Sequence, residues 1–139
     1  MRFMLDTNMC IYIIKKKPPQ ALNRFKALEP SDIGISSITL SELEYGVEKS
    51  SNRQQNREAL MAFLAPLEIA VYDDLAAHHY GDIRAHLERQ GLPIGAMDLL
   101  IAAHARSLSI PLVTNNVREF KRIPGLLVEN WVQRTSVAK

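Results

Sequence analysis

Four carboxylates, Asp6, Glu42, Asp98 and Glu119, have the types and the placement to do chemistry together. They are far apart along the chain, yet each stands at or just past the expected C-terminal end of a strand, or at the start of a helix. In a parallel α/β sheet such positions meet along one edge, outside the strand ends, where these folds take their ligands. Carboxylates gathered there repel one another and cannot all stay ionised cheaply. A hard divalent cation relieves that repulsion, since Mg²⁺ binds through one or two carboxylates with water and substrate phosphate completing its shell. The set therefore points to metal-assisted phosphoryl chemistry.

Each acid also has a purely local explanation. Asp6, ahead of Thr7 and Asn8, reads as a helix N-cap. Thr39 to Glu42 has the spacing of a capping box, and Ser41 to Glu44 repeats it, so Glu44 can cap while Glu42 points elsewhere. Asp98 opens an apolar helix and reads as another cap. Glu119 can pair on the surface with Lys121 or Arg122. The four histidines suggest no acid–base pair: His78, His79 and His86 share one amphipathic stretch, His104 lies on another, and all four read as surface or cap residues. Nothing has the spacing of a zinc site. Lys15, Lys16 and Lys17 close a helix where positive charge suits the dipole. Arg118, Lys121 and Arg122, flanking Glu119, are the candidates for phosphate contact.

The elements that must position these residues alternate along the chain. Residues 2–6 read as a buried strand ending at Asp6, followed by a helix to about Lys16 that Pro18 and Pro19 stop. Ala21, Leu22, Phe25 and Leu28 repeat at helical spacing up to Pro30. Residues 32–37 are a second strand, and a helix follows from about Leu40. The polar segment 49–56 is a turn or the continuation of a long helix, and Leu60, Phe63, Leu64 and Leu67 mark an apolar stripe beyond it. Residues 68–72 form a third strand; the next helix buries Ala76, Tyr80, Ile83 and Leu87 and ends at Gly91. After Pro93-Ile94-Gly95, the run from Asp98 is nearly all apolar or small and reads as a central helix. Residues 112–114 are a strand, 115–120 a turn into a short helix, and 126–129 a last strand before Trp131. This predicts an α/β fold with a mostly parallel sheet of about four to five strands flanked by helices. One domain over 1–132 is expected, with 133–139 a frayed tail.

The bulk properties set limits. A chain of 139 residues suits one domain with a real core. No apolar run reaches the length of a membrane span, and the aspartate in MRFMLDTN argues against an export signal. The single cysteine, Cys10, makes no internal disulfide, reads as a small buried hydrophobe, and suits a reducing cytoplasm. Net charge is only +2, but setting the four acids aside from the 15 acidic residues leaves 17 basic against 11. That bias favours a polyanionic partner.

Residues 3–8 (FMLDTN), 35–46 (ISSITLSELEYG), 93–105 (PIGAMDLLIAAHA) and 114–120 (TNNVREF) resemble the successive motifs of the PIN-domain family. More narrowly they resemble VapC toxins of type II toxin–antitoxin modules, and the likeness runs from about residue 2 to Trp131 with the motifs in order. The resemblance implies a PIN-like fold and a Mg²⁺-dependent endoribonuclease, with Mn²⁺ as substitute, neutralised by a VapB-like antitoxin. Asp6, Glu42 and Asp98 match the family's three most regular acidic positions. Many members carry an aspartate where this chain has Asn116; here the fourth acid comes later, as Glu119. TNN together with REF resembles a subgroup that cuts initiator tRNA in the anticodon loop. By the same likeness, Asp6 and Asp98 mainly hold the metal, with Glu42 and Glu119 acting through water or a second ion. Thr7, Asn8, Ser37, Thr114 and Asn116 then orient the carboxylates. Attack by water predicts 5′-phosphate and 3′-hydroxyl products. A homodimer is expected, bridged by antitoxin into a larger assembly on operator DNA, with the antitoxin's apolar side chains along residues 9–14 and 40–64 and a basic one reaching the acids.

Two rivals remain. A haloacid-dehalogenase-like phosphatase usually wants a second aspartate two residues after the first, where this chain has Asn8. A catalytically silent PIN module binding RNA or protein is the other, and retention of all four acids argues against it.

Overall fold

The computed structural model describes residues 1–132; the expected tail at 133–139 lies outside the described residues. Five short strands form one sheet: β1 (Phe3–Leu5), β2 (Ile33–Ser36), β3 (Glu68–Ala70), β4 (Leu112–Val113) and β5 (Val128–Glu129). Their order is β3-β2-β1-β4-β5 and every pairing is parallel. Seven helices connect them: α1 (Thr7–Lys15), α2 (Pro19–Lys26), α3 (Ser37–Glu48), α4 (Arg53–Leu64), α5 (Asp74–Arg89), α6 (Ala96–Ser107) and α7 (Val117–Phe120). No helix among the described residues is long and apolar enough to cross a membrane.

Alternation along β1 builds both cores. Phe3 and Leu5 face one side with Ile33 and Ile35 of β2, packed under α1, α2, α3 and α4 through residues such as Met9, Ile13, Leu43 and Phe63. Met4 faces the other side, under Ile83 and Leu87 of α5 and Leu99 and Ile101 of α6. The central strands β1, β2 and β4 are buried on both faces, which is why they read as nearly continuous apolar runs. Gly34 is the exception with a reason: a Cβ there would stand 2.8 Å from Glu68 O and 2.6 Å from Met1 Sδ. Cys10 is fully buried, and burial pushes its thiol well above the ordinary value.

Because the chain runs β1 to β2 to β3 on one side of the centre and returns to β4 and β5 on the other, the order reverses between β1 and β4. That reversal opens a crevice at the carboxyl ends of the strands. Asp6 follows β1 there and Thr114 follows β4, their strands joined by Asp6 N donating to Val113 O at 3.0 Å.

Several sequence expectations need correction. The helix expected from Leu40 starts at Ser37, because the Ser36 side chain caps it by accepting from Ile38 N. Thr39, Ser41 and Glu44 therefore lie inside α3 and form no capping boxes; the Ser41 hydroxyl donates back to Ser37 O, and Glu44 pairs with Arg57. Segment 49–56 is a turn followed by the start of α4. The cap of α6 is Gly95, which places Asp98 in the first turn. His104 is not at the surface but only 1% exposed. The end of α5 follows expectation: Gly91, at φ +68°, lets Leu92 N reach Leu87 O and Gly91 N reach Glu88 O, the paired bonds of a left-handed helix stop.

Glu119 rides on α7, which has four residues and too few hydrogen bonds to persist alone. Its anchor is Phe120, fully buried against the α5–α6 side of the sheet. Phe120→Ala is expected to cost about 3–5 kcal/mol in urea unfolding. A loss below about 1 kcal/mol would mean that α7 is held by something else.

Candidate active site

The four acids converge from four separate elements. Asp6 is the N-cap of α1, its Oδ1 accepting from Met9 N at 2.8 Å; the cap and the pocket use the same carboxylate. Glu42 projects from α3 and accepts from the Thr7 hydroxyl. Asp98 comes from the first turn of α6 and Glu119 from α7. Asp6 feels the charges of Asp98 and Glu42, and Asp98 those of Glu42 and Glu119, so the set forms one electrostatic unit.

Asp6 is 4% exposed, and burial pushes its carboxyl up to about 6 even though the Thr114 hydroxyl and the Met9 N–H both favour the ionised form. Burial, then Glu42 and Glu119, also raise Asp98. Repulsion and desolvation thus act in the same direction on both groups.

The segment after β4 links two of the acids. Thr114 binds the Asp6 carboxylate and its Oγ1 accepts from Asn116 N at 2.9 Å, while Asn116 Nδ2 donates to Glu119 Oε1 at 2.7 Å. A chain of hydrogen bonds therefore runs from Asp6 through Thr114 and Asn116 to Glu119. Ser37 is placed differently from these: its Oγ accepts from Tyr72 N at 3.0 Å and ties α3 to the end of β3. Asn8 is exposed next to Thr7. Arg118 and Lys121 are exposed on and just after α7, and Arg122 reaches back to Pro93 O at 3.5 Å.

The donors fit a hard cation. All four are carboxylates, and among the described residues no three His, Cys, Asp or Glu side chains close in tightly enough to enclose a metal unaided. A site completed by water and phosphate matches Mg²⁺, which keeps much of its hydration, better than a metal that demands an all-protein cage. Thr39 Oγ1 is a buried oxygen without a hydrogen-bond partner among the described residues. It lies one turn before Glu42, on the same side of α3. Sequence reasoning missed Ser36, His104 and this side of Thr39, because only the tertiary fold buries them.

Beside the acids, Ile11, Ile14, Leu43, Val47 and Leu60 line an apolar groove of about 330 Å³ between α1, α3 and α4, with Glu42 at its edge and Lys15 and Lys49 on its rim. A larger hollow of about 680 Å³ lies over Glu48, Arg53 and Arg57. Glu48, Arg53 and Arg57 are already paired with one another or with Glu44, and Glu58 accepts from the Gln54 amide.

A pH dependence follows from Asp6. Its folded-state pKa of about 6 lies above the ordinary 3.8. Asp6 therefore favours the folded state fully below about pH 4, and this is lost as pH rises through 6. The difference is on the order of 3 kcal/mol. In chelator, wild type is expected to lose stability relative to Asp6→Asn between pH 4 and 7.5, leaving the variant the more stable at neutral pH. Parallel pH profiles in thermal unfolding would contradict this.

Comparison with known proteins fits this geometry. The PIN domain family matches residues 3–126. The chain is 49% identical over 132 residues to ribonuclease VapC2 of Rickettsia felis, covering 94% of this chain and 98% of the relative. It is 50% identical over 131 residues to the tRNA(fMet)-specific endonuclease VapC of Salmonella typhimurium, again covering 94% and 98%. Among solved structures, VapBC2 of Rickettsia felis bound to a DNA fragment from its promoter superposes with a TM-score of 0.88 at 48% identity, over 94% of this chain and 99% of that one. DNA-bound VapBC of Salmonella typhimurium gives 0.89 at 50% identity, over 94% and 98%. Matched by the PIN domain family over residues 3–126 and about half identical to VapC ribonucleases over nearly their whole length, the chain belongs to the PIN-domain family and, within it, to the VapC ribonucleases.

Proposed function

We propose that this protein is the toxin of a type II toxin–antitoxin module, a Mg²⁺-dependent endoribonuclease that cuts initiator tRNA in its anticodon loop. One observation carries the reading: four acids from four elements meet at the reversal point of the sheet, with the Asp6 carboxyl pushed up to about 6. That arrangement is costly without a cation and has no structural use that a neutral residue would not serve better.

Asp6 and Asp98 would hold the metal, with Glu42 and Glu119 reaching it through water or a second ion. Mg²⁺ or Mn²⁺, when bound, would supply charge for a phosphate oxygen and lower the pKa of a bound water. The protein's own groups do the rest. Thr7, Thr114 and Asn116 hold Glu42, Asp6 and Glu119 in place, and a carboxylate not engaged with the metal takes the proton of the attacking water. Asn8 and Ser37 complete the polar surroundings as supporting residues. Arg118, Lys121 and Arg122 hold the RNA backbone on the α7 side, with affinity that falls as salt rises. An exposed loop with unstacked nucleotides enters such a crevice where a duplex does not, and the Salmonella relative's name supports the tRNA(fMet) substrate.

A cytoplasmic enzyme of this kind requires an inhibitor. Glu42 lines the groove along α1, α3 and α4, so a VapB-like partner laying apolar side chains in it can direct a basic side chain to the acids, where charge-assisted hydrogen bonds replace the cation. Two structural relatives are VapBC assemblies bound to DNA. By analogy a toxin homodimer is bridged by its antitoxin on operator DNA.

Purified protein is expected to cut initiator tRNA, to leave 5′-phosphate ends, to stop in EDTA and to resume with Mg²⁺ or Mn²⁺. Asp98→Asn should lower the rate by at least about 10²-fold while staying folded. Cleavage that persists in chelator with cyclic-phosphate ends would overturn the mechanism; intact initiator tRNA beside uniformly cut RNA would overturn the substrate alone. Ile14→Glu should leave cleavage unchanged and weaken inhibition by the co-expressed partner at least about tenfold, as loss of an apolar anchor does. Undiminished inhibition would place the partner elsewhere.

A further inference from the structure

The helices that carry Glu42 and Asp98 are tied together by a buried polar contact that the chemistry above leaves unused. Ser36 caps α3, its Oγ accepting from Ile38 N at 3.0 Å. The same oxygen lies 2.7 Å from Nδ1 of His104, on α6. The two residues are 0% and 1% exposed. Burial holds the imidazole below its ordinary value, with Asp73 opposing, so the ring is neutral at neutral pH. Since Ser36 Oγ already accepts one N–H, its own proton is free for Nδ1. The ring also meets Tyr72 edge-on, centroids 5.5 Å apart, and Tyr72 N donates to Ser37 Oγ. One node therefore joins the start of α3, the end of β3 and the body of α6.

Its position matters more than its strength. Glu42 lies six residues beyond Ser36, and Asp98 six residues before His104. At 1.5 Å per residue each carboxylate stands about 9 Å along its helix from the contact. Over that arm a tilt of about 6° moves a carboxylate by about 1 Å, a shift that costs up to about 10²-fold in rate. An apolar pair would fill the same volume without desolvating two polar groups, but it would allow the helices to slide and turn.

We propose that the Ser36–His104 hydrogen bond is a positioning device for the acidic site, setting Glu42 against Asp98 and with it the site's affinity for a divalent cation. The proposal rests on the metal-dependent nuclease reading and deepens it. Ser36 and His104 are positioning residues; neither touches RNA or metal.

The test uses the full chain and three readouts: thermal midpoint, Mn²⁺ binding by calorimetry without RNA, and kcat and KM for RNA cleavage. His104→Phe keeps the ring's volume and its edge contact with Tyr72 but removes both nitrogens. It should stay folded, bind Mn²⁺ about tenfold or more weakly and lose kcat to a similar degree, the scale expected when a ligand's supporting hydrogen bond is lost, with KM little changed. His104→Asn, whose amide returns a polar atom close to the place of Nδ1, should recover most of both. If His104→Phe fails to fold, Ser36→Gly carries the test, because glycine removes the hydroxyl yet costs an N-cap only a few tenths of a kcal/mol. Wild-type Mn²⁺ affinity and kcat in a folded His104→Phe or Ser36→Gly would overturn the proposal, as would a His104→Asn protein no better than His104→Phe. Wild type that neither binds Mn²⁺ nor cuts any RNA would overturn the nuclease reading first and this proposal with it.

Discussion

The gathering of carboxylates in a partly buried crevice is the constraint on which the rest of the molecule depends. Desolvation and mutual repulsion both work against the fold that brings them together, and Asp6, their most buried member, is raised to about 6 first by burial and then by the charges of Asp98 and Glu42. The fold withstands it because each acid is held by an element with its own apolar anchor. Asp6 follows a strand whose three residues are buried, Asp98 lies in the first turn of a helix with five consecutive buried residues, and Glu119 is pinned by Phe120. Two apolar cores, one on each face of the sheet, supply the opposing stability.

The same crevice explains how activity and its control can share a surface. The acids open beside an apolar groove between α1, α3 and α4, and Glu42 borders both. Of the basic residues after β4, Arg118 lies with Glu119 on α7, and Lys121 and Arg122 directly follow it. Under the proposed function, a polyanion would approach the carboxylates over α7 and an inhibitory segment would reach them from the groove. A cation would balance their charge in the first case and a basic side chain in the second.

Much of this was legible in the sequence because it is encoded locally. Continuous apolar runs marked buried parallel strands, and Pro18, Pro30 and Gly91 marked helix ends. The four acids stood out because each follows a strand or opens a helix, and the motif likeness joined them. What was not legible depended on tertiary contacts. Ser36 and Leu40 are both plausible starts for α3, and only the position of Ile38 N shows that serine caps it. Glu42 and Glu44 compete at the level of capping spacing; Arg57, thirteen residues beyond Glu44, settles the matter by pairing with it. His104 looked like a surface residue because its spacing carries no sign of Ser36, 68 residues earlier, to which it is bonded.

The most direct measurement is an NMR titration of the Asp6 carboxyl carbon in the intact protein, with and without Mg²⁺. An apparent pKa of about 6 is expected in chelator, with a fall below the ordinary 3.8 once the cation is bound. An Asp6 that titrates at the ordinary value in chelator, or that does not respond to Mg²⁺, would contradict the claim that these acids are held together for a metal.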